Sequence, residues 1–384
     1  LPGLADRPAE EGEFMARVMV RKAEYDYSTL RSGVFDVLEA TGGHRIGNGS
    51  RVVLKPNLLA PASPDRAVLT HPMIVRAVAE YAVERGGKVQ VSDSPAMGTF
   101  EKVLRESGIR QALDGLDVDF REFRDSVTLD AGQPFMKLEL ARDALEADVL
   151  INLPKLKTHG QMLLTLGVKN LFGCVVGLRK PQWHLRTGVD RQMFAALLVH
   201  IYQALRPGIT ILDGILAMEG QGPGKGGTPR HLGVLMGSED ATALDSTVCR
   251  MMGLRPEDLP TNAAAKRMGI LADSVEVIGE LPRVHDFVLP EAGALVFGPS
   301  FAHGLMRRHL VQRPVVDDGL CRLCGECWRY CPAKAVSQEG RKVRFDYERC
   351  IRCYCCLEVC PHGALRAEKP LAGRMFDRVI RRVR

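Results

Sequence analysis

The sequence predicts an α/β protein in which a mostly parallel, layered large domain is followed by a small α+β domain. Three observations point there. Between residues 15 and 300, short runs rich in Val, Ile and Leu alternate with longer stretches of helical periodicity, the pattern of strands joined by crossover helices. Nine of the eleven cysteines fall between Cys321 and Cys360, so the end of the chain differs chemically from the rest. And 384 residues, 46% of them hydrophobic, suffice for two or three domains around a large core.

Taken in order, the expected strands are RVMVRKA from Arg17, RVVLKPN from Arg51, KVQVSD from Lys88, DVDFREF from Asp117 and DVLINLPK from Asp148. ITILDGI from Ile209, LGVLMG from Leu232 and VEVIGE from Val275 complete the set. Helical patterns begin at Tyr27, His71, Phe100, Asp190 and Asp240, and Gly-Gly or Pro-Gly closes three of them.

In parallel sheets ligands gather at the carboxyl ends of strands, and here those positions are polar. Lys55 and Asn57 end one strand, Asp93 and Ser94 follow the next, and Asn152, Lys155, Lys157, Thr158 and His159 lie within INLPKLKTH. Lys169 and Asn170 come next, and Asp213 ends a later strand. A single lysine after a strand is ordinarily solvated and a single histidine ordinarily structural. Lys155, Lys157, His159 and Lys169 within fifteen residues argue instead for a cationic pocket that takes a carboxylate or phosphate. Lys55, Asn57, Lys155, Lys157, Lys169, Asn170 and Asp213 are therefore the substrate-binding candidates. His159 and Asp93 are the catalytic candidates, as proton donors. Asp93, Asp213 and His159 would also make a metal set if they converged. The run MEGQGPGKGGTP (218–229) is not a phosphate loop, because Lys225 is followed by glycine and no helix starts at once; a lid over the site is expected. Cys174 is either a packed small residue or a thiol near the pocket, and Cys249 belongs to a helix core.

Cys321, Cys324, Cys327 and Cys331 follow C-x2-C-x2-C-x3-C-P, and Cys350, Cys353, Cys356 and Cys360 repeat it. Three cysteines so spaced wrap one face of a [4Fe–4S] cluster, while the fourth is carried round to the other cluster. This assigns Cys321, Cys324, Cys327 and Cys360 to one cluster and Cys350, Cys353, Cys356 and Cys331 to a second. Zinc sites pair four ligands and fit the doubled pattern poorly. Cys355 is a ninth thiol, expected as a non-ligand. Residues 315–370 resemble the bacterial two-cluster ferredoxin domain, which we place at 320–370, with GRKVRFDYERC as a hairpin between its halves.

The large domain, 15–300, resembles the domain-of-unknown-function family 362. The likeness rests on VVLKPN, VSDSP, INLPKLKTHG, GVKNLFG, ILDGILAMEGQGP and the ALD of DATALD. Many members are similar to this chain in carrying a two-cluster ferredoxin domain at the end, which implies the architecture and two [4Fe–4S] clusters, and leaves any further metal or organic cofactor open. Residues 301–319 are expected as a linker. MFDRVIRRVR lies within a basic amphipathic C-terminal helix, 371–384. The start, LPGLADRPAEEGEF, lacks the chemistry of a secretory signal. We expect an extension over 1–14 and a cytoplasmic protein without transmembrane segments.

The net charge of +6 lies wholly between Val315 and Arg384, where 15 Lys and Arg face 9 Asp and Glu. A basic end suits an acidic electron donor or acceptor protein, such as a ferredoxin or flavodoxin. With aromatic residues at 6% and no binding motif, nucleic acid is not expected. The expected function is an iron–sulfur redox protein: a ferredoxin-linked reductase passing single electrons to a small anionic substrate in the large domain. The alternatives are an electron-transfer component that docks a partner enzyme, and a cofactor or metallocentre assembly protein.

Overall fold

The computed structural model describes residues 15–177, 179–188, 190–290 and 309–375. The expectations for residues 1–14, for 301–308 of the linker and for 376–384 of the C-terminal helix fall outside them. All eight expected strands and all five expected helices form. The strands are β1 (Met15–Lys22), β2 (Arg51–Pro56), β3 (Lys88–Val91), β4 (Val118–Phe120), β5 (Ser126–Gly132), β6 (Met136–Ala141), β7 (Val149–Leu153), β8 (Lys155–His159), β9 (Leu163–Thr165), β10 (Ile209–Gly220), β11 (Gly227–Ser238) and β12 (Ser274–Ile278). The main sheet runs β12-β1-β11-β10-β7-β2-β3-β4. Along this path only β11 is antiparallel to its neighbours, so the sheet is mostly parallel.

A strand buried on both faces must be apolar at successive positions, and its residues feed two cores in alternation. Val52 and Leu54 of β2 enter one core and Val53 another. Val149, Ile151 and Leu153 of β7 divide from Leu150 in the same way. Helices cover both faces. Tyr27–Ala40 and Pro72–Glu84 lie on the first, and Arg191–Leu205 lies on the second. Side chains start them: Asp26 accepts from Ser28 N, the Nδ1 of His71 from Met73 N, and Asp190 from Gln192 N and Met193 N.

Pro154 interrupts what the sequence suggested was a single strand. β7 stays in the sheet beside β2, while β8 leaves the main path, pairs with β10 and turns back through β9. The hairpin β5–β6 and the helices Arg179–Thr187 and Pro260–Arg267 were also not anticipated. No helix of the described residues is long and apolar enough to cross a membrane.

β13 (Arg313–Val316), inside the expected linker, pairs with β16 (Leu365–Glu368), and β14 (Val336–Glu339) pairs with β15 (Lys342–Phe345) as the expected hairpin. The glycine-rich run is the tip of the long β10–β11 hairpin, and it is packed rather than free to act as a lid. A Cβ on Gly224 would lie 3.0 Å from the carbonyl of Glu358, and one on Gly363 3.0 Å from that of Lys225. Gln221 Oε1 accepts from Ala367 N at 3.2 Å. The glycines let two backbones approach closely, and the tip clasps the small domain.

Candidate functional site

The carboxyl ends of β2, β3 and β8 open onto a cavity of about 210 Å³. β2 supplies Lys55 and, just beyond its end, Asn57. The loop after β3 supplies Asp93 and Ser94, and β8 supplies Lys157 and His159. The short helix Gly167–Asn170 adds Lys169 and Asn170. Helix Arg179–Thr187 adds Lys180 and His184, four apart and therefore on one face. Pro223 of the glycine-rich tip borders the cavity as well, and the small domain contributes Tyr330, Cys355, Glu358 and Val359.

A relay of buried amides fixes the lysine side. Lys157 Nζ donates to Asn57 Oδ1 at 2.8 Å and to the Val68 carbonyl at 2.7 Å. Asn57 donates to Asn170 Oδ1, and Asn170 to Asn152 Oδ1, both at 2.8 Å; Asn152 donates to the Gly167 carbonyl at 2.9 Å. Each amide is committed at both ends, so none can turn over. Lys55 pairs with Asp93 at 2.8 Å. Gly173 must be glycine here, because a Cβ would sit 2.2 Å from Asp93 Oδ1 and 2.5 Å from Lys55 Nζ.

Burial lowers every lysine that faces the cavity without a carboxylate partner. The Lys157 ammonium is pushed down to about 7 and that of Lys180 to about 8, and Lys169 is lowered as well. Lys180 donates to the Ser94 carbonyl at 2.6 Å. Lys169 lies over the rings of Phe172 and Phe194, at 5.1 and 5.8 Å. The Nδ1 of His159 accepts from Gln161 N and Met162 N, both at 3.1 Å, so its proton is on Nε2. That Nε2 lies 3.0 Å from Glu358 Oε1, within reach though not aligned for a hydrogen bond. Burial pulls the Glu358 carboxyl up, but His159 and Lys169 outweigh it and leave the group at about 2. Burial pushes His184 down to about 3, and its Nδ1 has no partner among the described residues.

Of the expected site residues, Lys55, Asn57, Asp93, Lys157, His159, Lys169 and Asn170 converge on the cavity. Lys155 and Asp213 do not line it. They form a separate network: Lys155 Nζ donates to Asp213 Oδ2 and to Tyr25 Oη, both at 2.8 Å, and Tyr25 donates to Asp213 Oδ1 at 2.7 Å. His71, stacked on Tyr25 at 3.5 Å, gives its backbone N–H to Asp213 Oδ2. Asp93, Asp213 and His159 therefore do not converge as a metal set, and no group of His, Cys, Asp or Glu among the described residues is gathered to hold a single metal ion. Asp93 accepts from Lys55, Leu58 N and Ser94 N, so it is an anchor rather than a ready proton donor. Cys174 is fully buried and its thiol is pushed up to about 12, which makes it a packing residue. Lys180, His184 and Glu358 were missed. A Lys and His four apart in RKPQWH was the available signal for the first two.

The cysteine segments repeat in backbone as well as in spacing. Leu323, Gly325 and Lys334 take positive φ in the first half, and Arg352, Tyr354 and Gly363 do so at the equivalent places in the second. Ala335 N donates to Cys331 Sγ and Ala364 N to Cys360 Sγ, both at 3.3 Å. Cys321, Cys324, Cys327 and Cys360 ring one small cavity; Cys331, Cys350, Cys353 and Cys356 ring another. No cysteine is in a disulfide. Four free thiols around the first hollow and five around the second, Cys355 being the extra one, with amide donors to sulfur, fit [4Fe–4S] groups. Cys355 borders both the second hollow and the lysine cavity.

Residues 52–250 match the model of the domain of unknown function DUF362. The chain belongs to this family. In this DUF362 protein, residues 313–361 further match a 4Fe-4S dicluster domain. A thylakoid-associated protein of Synechocystis sp. is 40% identical over 275 residues, covering 71% of this chain and 85% of that protein. A pyruvate synthase subunit of Thermotoga maritima is 41% identical over 56 residues, 14% of this chain and 57% of that subunit. A ferredoxin of Pyrobaculum islandicum is 36% identical over 55 residues, 14% of this chain and 51% of that protein. Among solved structures, the lactate racemase apoprotein of Thermoanaerobacterium thermosaccharolyticum overlaps 62% of this chain and 57% of its own, at a TM-score of 0.40 and 13% identity. This DUF362 protein is thus an iron–sulfur electron-transfer protein that holds [4Fe–4S] clusters.

Proposed function

We propose that the protein is a reductase that takes single electrons from an acidic carrier protein, a ferredoxin or flavodoxin, and delivers them to a small anion in the lysine cavity. One observation carries this reading: the cavity wall is built jointly by the large domain's lysines and by Cys355, which also borders the second cysteine ring. When bound, two [4Fe–4S] clusters would supply one electron each. Ligation by Cys321, Cys324, Cys327 and Cys360, and by Cys331, Cys350, Cys353 and Cys356, follows the two rings. Cys324 is exposed and Cys321 half-buried, whereas Cys350, Cys353 and Cys356 are buried. The first ring therefore suits a docking partner and the second suits the substrate. The surplus of basic residues toward this end of the chain favours an acidic partner.

Reducing a carbon or heteroatom centre by two electrons takes up two protons. Lys157 is the better acid here, because its ammonium is poised near neutrality and two of its three N–H groups are already placed. Lys169 and Lys180 orient the anion, while Lys55 and Asn170 are held in the wall by Asp93 and by the amide relay. His159, with Nδ1 tied down by two backbone N–H groups, positions Glu358. We place the protein in the reducing cytoplasm, where nine closely spaced thiols stay unpaired.

Protein purified without oxygen is expected to hold about eight irons, C356S about four and C355S about eight. The chemically reduced protein, freed of excess reductant, is then offered a panel of small carboxylates and phosphates. Reoxidation by a member of the panel, slowed in K157M, supports the reductase. Reoxidation by an oxidised ferredoxin alone would make the protein an electron carrier with no chemistry of its own.

A further inference from the structure

The cavity holds more positive charge than it can neutralise. Its wall carries four lysines against two carboxylates, Asp93 and Glu358. Asp93 is taken by Lys55 at 2.8 Å, and Glu358 faces His159 and also feels the Lys169 charge. Neither histidine adds a negative charge. What remains is Lys157, Lys169 and Lys180, whose only acceptors are neutral. Lys157 has an amide oxygen and a carbonyl, and Lys180 has a carbonyl. Lys169 has aromatic faces and no hydrogen-bond or ion-pair acceptor among the described residues. Burying ammonium groups without counter-charge is costly, and with all four lysines protonated the wall's surplus amounts to two positive charges. The His184 Nδ1, 96% buried by residue and unpartnered, borders the same space as a further polar contact.

We propose that the cavity binds a small dianion, either a dicarboxylate or a phosphomonoester, with Lys169 as its central contact and Lys157 and Lys180 flanking it. This rests on the anionic-substrate reading of the same cavity and names its class. A monoanion would leave one buried ammonium uncompensated. A large ligand would not fit, since about 210 Å³ lies below the ~300–1,000 Å³ of sites for drug-sized molecules. Carboxylate and phosphate oxygens both suit lysine, a compact donor without the planar fork that would favour one of them.

The test is calorimetric titration of the intact holoprotein under argon at pH 7 and low salt, with two matched pairs: succinate against butyrate, and methyl phosphate against dimethyl phosphate. The dianion of at least one pair is expected to bind about tenfold or more tighter than its monoanion, as one extra charge contact in a buried site requires. The pair that shows the preference distinguishes carboxylate from phosphate. The preference should collapse in K169Q and weaken in K180Q. Ratios below tenfold in both pairs, or a preference untouched in both variants, would overturn the proposal. The wild-type comparison stands even if a variant fails to fold. Electron paramagnetic resonance of the reduced protein separates the two readings. Tight dianion binding that leaves the spectrum unchanged keeps the dianion site and sinks the reductase. Equal binding of mono- and dianions with an altered spectrum does the reverse.

Discussion

Lys155 and Lys157 stand two residues apart on one strand, both almost fully buried, and they meet opposite fates. Lys155 lies in a closed network. Asp213 neutralises it, Tyr25 and His71 complete the hydrogen bonds, and Tyr25 also accepts from Leu216 N at 3.3 Å where β10 bulges. Lys157 meets only neutral oxygens and faces a cavity. Burial alone therefore does not mark a site, because both residues have it. What separates them is whether the charge is answered inside the fold. An answered lysine holds strands together; an unanswered one waits for a ligand.

The sharpest way to break this comparison is to unbalance the closed network. D213N leaves Lys155 buried without its counter-charge, and loss of one partner of a buried pair costs about 3–5 kcal/mol. Denaturant unfolding of the large domain should register that loss, while anion affinity of the folded fraction stays near wild type. A large fall in affinity would mean that the two networks are one. The next effect is smaller. G173A drives a methyl into the Lys55–Asp93 pair and should cost about 1–3 kcal/mol as overpacking, this time with weakened anion binding.

The last effect is a pH dependence of opposite sign for stability and for binding. Lys157 titrates near 7 in the fold against an ordinary value of 10.5. The unfolded chain therefore binds more protons between those values, and stability of the ligand-free protein should rise as pH climbs from about 7. An anion favours the charged lysine, so its affinity should fall over the same range, on the order of tenfold by pH 9. A binding constant that is flat from pH 6 to pH 9 would remove Lys157 from the ligand contacts.

Much of this was legible in the chain. Strand runs such as RVVLKPN and VLINL are apolar at successive positions because both faces are covered, and polar residues at their carboxyl ends marked the cavity side. The error at Asp213 has a physical reason. A strand end tells which edge of the sheet a residue occupies, not how far along that edge its partner lies. Asp213 sits on β10, and the β8 register places Lys155 opposite it and carries Lys157 onward to Met218. Pro154, which frees β8 from the main path, reads in sequence as no more than a strand end.

The sequence by itself determined the cysteine rings and the layered sheet. Both depend on spacing along the chain: three ligands of each ring fall within seven residues, the repeat of the motif supplies the fourth, and an apolar alternation is decided residue by residue. Even the left-handed turns recur where the spacing recurs, at Gly325 and Tyr354. Only the tertiary structure decided that Glu358 and Cys355, about two hundred residues from Lys157, face the lysines, and that the glycine-rich tip clasps the small domain. Those are meetings of distant segments. Charge balance in a buried space is a property of everything that meets there, and no stretch of chain carries it alone.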